Sequence, residues 1–262
     1  MKDNKKGLIF AGCSYTWGYG LNYYYDNGQD NGTRYKDISI TSPEPHLLFQ
    51  YANRFSNKIA NNYNTFHIQP DRVSGSDVVN VEWLDKFLKK DWDTESIDYS
   101  FFKSSDFHTL IFQTSYLDRG FELIWEKLTN RDNEYFNSYE ELVEEIGDSQ
   151  WQRNYYEDQL FEIVTKMIID ICKKFESLGM QVYFIHTTDI YKHTDYIKER
   201  TIKISHKEKE YFCINNINED DSTAVIALDF DNFEGTPPDD LHPSLKIHDS
   251  IYKSIINKLN ND

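Results

Sequence analysis

Three cysteines in 262 residues, Cys13, Cys172 and Cys213, are too few and too scattered to form a disulfide framework or a metal-ligating spacing, and their number is odd. That usage fits a reducing compartment. Long apolar runs are also missing. No stretch suffices for a membrane-spanning helix, and the charged start Met1–Lys6 leads into a very short apolar run, so no signal peptide is expected. The simplest reading is a cytoplasmic chain with no membrane partner. Positive charge is scarce as well: 28 Lys and Arg stand against 44 Asp and Glu, a formal net charge of -16. Nucleic acids and anionic membranes need a basic footprint, so both are disfavoured as partners. No internal repeat and no low-complexity linker divides the chain.

What is present begins with Leu8-Ile9-Phe10-Ala11, a short apolar run that ends abruptly in Gly12-Cys13-Ser14. Such a run bounded by turn residues predicts a buried strand. In an open parallel sheet, binding sites collect at the carboxyl ends of strands. A turn at that place holds a hydroxyl rigidly at the sheet edge, which makes Ser14 a candidate nucleophile; the competing reading is a Ser14 that only caps the next helix. Near the other terminus the chain reads Pro237-Pro238-Asp239-Asp240-Leu241-His242-Pro243. A serine nucleophile needs a base, and the base needs an acid that fixes its tautomer. Asp239 and His242, three residues apart in a proline-stiffened segment, meet that need. The same residues also read as caps of the last helix, with Pro243 in its first turn, and the two roles are compatible.

Together these blocks resemble the SGNH (GDSL-type) hydrolase family, whose first block is a Gly-x-Ser turn after strand one and whose last is Asp-x-x-His before the final helix. The matching residues are Gly12-Cys13-Ser14 and Asp239-Asp240-Leu241-His242, one block near each end of the chain. The resemblance implies a three-layer α/β/α domain with a mainly parallel, flavodoxin-like sheet. It also implies a triad of Ser14, His242 and Asp239. The family's second block is a Gly after strand two whose backbone N–H helps form the oxyanion hole, and Gly75 matches it; an alternative register sets Ser74 against that Gly and Asp77 against a following Asn. The third block, Gly-x-Asn-Asp, falls near Gln113-Thr114-Ser115. The family's Asn is absent there, and Gln113 offers the same amide from a longer arm.

Taken in order, residues 21–45 form a long polar and aromatic loop, read either as a lid over the cleft or as a surface insertion. His46–Ile59 has helical spacing, and Asn64–Ile68 reads as a strand. Ser76 or Asp77 caps a helix to about Lys90. Thr109–Gln113 is a clear strand. Residues 116–152 form a second insertion, with a short acidic helix over Tyr139–Ile146 whose carboxylates face solvent. Tyr155–Leu178 carries a long apolar stripe and stops at Gly179, and Cys172 lies near that stripe as packing. Gln181–His186 is a strand, and His186 with Asp189, near His193, forms a rival His/Asp pair ranked below Asp239 and His242. Ser205–Asn218 is mixed. Ala224–Leu228 is the last strand and Pro243–Leu259 the closing helix. Strands alternating with helices from end to end argue for a parallel sheet covered on both faces, in one domain spanning residues 1–262.

The resulting expectation is a serine esterase that needs no metal or cofactor. Ser14 attacks the acyl carbonyl, His242 moves the proton and Asp239 orients the imidazole. The oxyanion is held by the Ser14 and Gly75 backbone N–H groups and by Gln113; losing one such donor typically costs about 10²–10³ in rate. Family precedent suggests a small-molecule or carbohydrate ester as substrate, O-acetyl groups above all. Two alternatives stand beside it: an acyltransferase on the same scaffold, and a non-catalytic carbohydrate-binding or structural module on a degenerate one. Cys13 as nucleophile is set aside, because the family position falls on Ser14 and Cys13 is expected to face the core.

Overall fold

A computed structural model of the chain describes residues 6–13, 16, 51–70, 76–90, 102–115, 150–220, 225–226 and 241–261, with residues 150–160, 225–226 and 241–242 as backbone. Its centre is a four-stranded, all-parallel sheet in the order β2-β1-β3-β4. The strands are β1 (Gly7–Ala11), β2 (His67–Ile68), β3 (Phe107–Thr114) and β4 (Gln181–His186). The protein is therefore an α/β protein, and the order is compatible with a flavodoxin-like fold.

The sequence makes these strands because it buries them on both faces. All five residues of β1 are buried, and so is most of β3 and β4. A parallel sheet enclosed by helices needs such continuous apolar runs. Alternate side chains then supply two separate cores. Ile9, Ala11, Leu110, Phe112, Val182 and Phe184 meet α2 (Asp77–Lys89) and α3 (Gln150–Ser177) through Val78, Leu84, Phe87, Ile168, Ile171 and Phe175. On the other face, Leu8, Phe10, Ile111, Tyr183 and Ile185 meet α1 (Phe55–Asn62), α5 (Ile214–Asp220) and α6 (Leu245–Asn261). The helix faces follow from handedness. The chain moves from β1 to β2 in one direction and from β2 past β1 to β3 in the other, so right-handed crossovers put α1 and α2 on opposite faces.

Helix ends are set locally. Ser76 caps α2 by accepting from the Val79 N–H at 3.3 Å, and Lys90 closes it in a left-handed conformation (φ 56°). Gly179, at φ 84°, ends the passage from α3 into β4. Cys172 is fully buried in the α3 core, as its place near the stripe suggests.

Several elements differ from the sequence reading. The helix expected over His46–Ile59 is interrupted at Arg54, whose backbone is extended (φ -64°, ψ 143°), and α1 runs on to Asn62. The second strand is only His67–Ile68, because Asn64 takes a left-handed conformation (φ 49°) and the Thr65 N–H still bonds back to the Ala60 carbonyl at 2.9 Å. The mixed stretch 205–218 resolves into a hairpin, β5 (Ile204–His206) with β6 (Lys209–Tyr211), followed by α5; it follows a short helix α4 (Asp195–Glu199). Of the last expected strand, Val225–Ile226 is described, as β7, and it pairs antiparallel with β8 (Leu241–His242). The closing helix is capped by Ser244, whose Oγ accepts from the Ile247 N–H at 3.3 Å. The expected insertions at 21–45 and 116–152 lie outside the described residues, apart from the start of α3. Among the described residues no helix is long and apolar enough to cross a membrane.

Phe112 is fully buried against Phe184 at the centre of the sheet. Phe112→Ala should lower the unfolding free energy by about 3–5 kcal/mol in urea titrations. A loss below about 1 kcal/mol would mean that the Phe112 face of the sheet is not a packed core.

Candidate active site

The strand order singles out one edge of the sheet. Chain direction reverses between β1 and β3, and such switch points open a cleft at the carboxyl ends of the strands. Gly12 and Cys13 leave β1 there, Gln113, Thr114 and Ser115 end β3, and His186 and Thr187 end β4. The N-terminus of α2 also starts within reach, since the Asp77 carboxylate touches Ser115.

Gln113 is the hub of the first network at this edge. Its side chain is 1% exposed. Its Oε1 accepts from the Thr16 hydroxyl. Its Nε2 donates to Thr187 Oγ1 at 3.0 Å and to Cys13 Sγ at 3.1 Å. Thr187 is held in turn by the ladder: its N–H bonds to the Thr114 carbonyl at 3.1 Å, and its carbonyl accepts from the Asn215 N–H at 3.0 Å in the first turn of α5. Gln113, expected as an oxyanion-hole amide, thus has both Nε2 hydrogens engaged inside the protein; the one on sulfur meets the weaker acceptor. Cys13 is 1% exposed and belongs to the core on the α1/α6 face.

Asp77 organises the second network. It lies in the first turn of α2, 2% exposed, with one oxygen accepting from the Ser115 N–H and the other from the Tyr191 hydroxyl, both at 2.7 Å. A carboxylate there faces the positive end of the helix. Burial nevertheless raises its pKa to about 7, against the downward pull of the Tyr191 and Ser115 hydrogen bonds. Burial, and then the neighbouring Asp77, also push the Tyr191 phenol up.

His186 turns out to be a core histidine. It is fully buried and stacks on the Phe212 ring at 4.6 Å. Thr201 Oγ1 gives its hydrogen to the Ile197 carbonyl at 2.9 Å, so it accepts from His186 Nε2 at 2.9 Å. The ring proton therefore sits on Nε2, and Nδ1 accepts from Thr114 Oγ1, also at 2.9 Å. Burial lowers its pKa to about 3 and keeps the ring neutral. Asp189 pairs with Lys192 at 2.5 Å. His186 and Asp189 thus each have other partners, and no His186–Asp189 dyad stands at this edge.

Ser14, Gly75, Ser74 and Asp239 lie outside the described residues, between or beside segments that are described. Cys13 and Thr16 flank Ser14, and Ser76 follows Gly75. His242 belongs to β8, where its backbone pairs with Val225. β8 packs against α5, whose first turn is bonded to Thr187. The segment carrying His242 is therefore linked through α5 to the edge that carries the Gln113 network. Thr16, Thr187 and Tyr191 were not singled out from sequence. Thr187 directly follows a strand ending in His186, the kind of position where a polar side chain meets the cleft, while Thr16 and Tyr191 give no such signal. Among the described residues no group of three or more His, Cys, Asp and Glu side chains is gathered to hold a metal ion. No protein-family model, curated protein or solved structure matches this chain.

The raised pKa of Asp77 has a consequence for stability. Between about pH 4, the ordinary aspartate value, and pH 7, the folded protein keeps a proton that the unfolded chain has released. The corresponding stability is fully present below about pH 4 and is lost as pH rises through 7. In urea titrations wild type should lose on the order of a few kcal/mol relative to Asp77→Asn between pH 4.5 and pH 7.5. A constant difference between the two proteins over that range would show that Asp77 is not a proton-holding buried carboxyl.

Proposed function

We propose that this chain is an ester hydrolase of the SGNH (GDSL) type, acting on small acyl esters such as O-acetyl groups on carbohydrate. The observation that carries this reading is the place of Gly12 and Cys13, the residues directly before Ser14. They follow the second strand of a β2-β1-β3-β4 parallel sheet at the switch-point edge. Support comes from the place of His242 in β8, which packs on the helix anchored to that edge.

In this reading His242 takes the Ser14 Oγ proton as Oγ bonds to the acyl carbon. Asp239 holds the imidazole in its orientation. The tetrahedral oxyanion is received by the backbone N–H groups of Ser14 and Gly75, where the start of α2 adds a favourable dipole end. Collapse expels the alcohol, which takes the proton back from His242, and leaves an acyl-Ser14. A water deprotonated by His242 attacks that acyl carbon, and carboxylate and free Ser14 are regenerated. Cys13 takes no part, because its thiol is buried in the core and faces Gln113.

Hydrolysis of p-nitrophenyl acetate by wild type, Ser14→Ala and His242→Ala tests the reading. Wild type should turn over, and each variant should fall by about 10³-fold or more in kcat with an unchanged melting temperature. Retained turnover in Ser14→Ala would remove Ser14 from the mechanism. Equal background rates in all three would favour a binding module.

A further inference from the structure

The Gln113 amide touches both sides of the segment that carries Ser14. Nε2 reaches Cys13, the residue before it, and Oε1 receives the hydroxyl of Thr16, two residues after it. The remaining Nε2 hydrogen is tied to Thr187. Thr187 itself is fixed by backbone bonds to Thr114 on β3 and to Asn215 at the start of α5. A side-chain amide has two hydrogens to give and a carbonyl to receive with, and here all are used within a site that excludes water. In such surroundings hydrogen bonds are stronger and their loss costs more. The close fit of the turn onto this amide is visible at Gly12. A Cβ there would run into Thr16 Oγ1 and lie 2.9 Å from Gln113 Cβ. No larger residue fits at position 12 while the turn lies on Gln113.

We propose that Gln113, with Thr16 and Thr187, forms a positioning clamp that fixes the turn bearing Ser14, and that Gln113 does not itself donate to the oxyanion. The catalytic half of this inference rests on Ser14 being the nucleophile; the clamp does not. A clamp on Cys13 and Thr16 constrains the Ser14 segment between them. Misplacement of a reacting group by about 1 Å costs on the order of 10²-fold in rate, so the clamp acts on the chemical step through Ser14.

Two readouts on the full-length chain separate the possibilities, using Gln113→Leu, Thr187→Val, Thr16→Val and the hydroxyl-retaining Thr187→Ser. In amide hydrogen exchange, the peptide covering residues 8–18 should exchange about 10-fold faster or more in Gln113→Leu and Thr187→Val, while the β4 peptide stays as in wild type. On p-nitrophenyl acetate, Thr187→Val and Thr16→Val should each lower kcat by about 10- to 100-fold at nearly constant KM. Thr187→Ser should restore the rate, and the Gln113→Leu/Thr187→Val double variant should be no slower than Gln113→Leu alone. Unchanged exchange at residues 8–18 in both variants would overturn the clamp. So would wild-type kinetics in Thr187→Val beside a collapse in Gln113→Leu, because Gln113 would then act on the substrate by itself. If Gln113→Leu does not fold, the Thr187→Val and Thr187→Ser pair carries the test. Equal hydrolysis by wild type and Ser14→Ala defeats the esterase reading alone; the exchange result still decides the clamp.

Discussion

A parallel sheet buried on both faces must satisfy most of the polar groups at its carboxyl edge from within, and the candidate site of this protein grows out of that constraint. Strands β1, β3 and β4 end in Cys13, Gln113–Thr114 and His186–Thr187, all but inaccessible to solvent. An unmet buried donor or acceptor costs about 1–3 kcal/mol. The chain answers with side chains that bond across strand ends: Gln113 to Thr187 and Cys13, Thr114 to His186, and Asp77 to Ser115 and Tyr191. These contacts join β1, β3, β4 and α2 at one edge.

The same contacts have a dynamic consequence. Polar groups that are both buried and mutually satisfied resist local opening. A nucleophile that flanks such a network would be pre-organised by it. The interactions that close the sheet also engage Cys13 and Thr16, on either side of Ser14. His186 illustrates the opposite outcome. A histidine at the carboxyl end of a parallel strand invites a role as base, yet Thr114 and Thr201 engage both ring nitrogens and burial holds it neutral.

Much of the scaffold is legible in the sequence, for physical reasons. Runs such as Leu8–Ala11 and Val182–Ile185 announce strands buried on both faces. Ser76 announces the start of α2, and Gly179 the end of α3. What is not legible depends on few residues or on unusual backbone. The hairpin β5–β6 turns on Lys207 and Glu208 at φ 47° and 65°, without the Asn or Gly that ordinarily marks such a turn. β2 has two residues, too few for a periodicity. Arg54 interrupts a stretch whose apolar spacing is helical throughout. At the site, Ser14, Asp239 and His242 stand out by residue type and spacing. Thr16 and Thr187 do not, because their part depends on meeting Gln113 across 97 and 74 positions of sequence. The buried state of Asp77 was equally out of reach, since an Asp beside a Ser at a helix start ordinarily reads as a solvated cap.

The central claim is that Ser14, at the carboxyl edge of β1, is an activated nucleophile. Treatment of the folded protein with a fluorophosphonate, followed by peptide mapping in a mass spectrometer, tests it without knowledge of the natural substrate. The account predicts one phosphonyl group per chain, on Ser14, and none on the protein when His242 is replaced by Ala. An unmodified Ser14 in the folded wild type, or an adduct on another serine in its place, would contradict it.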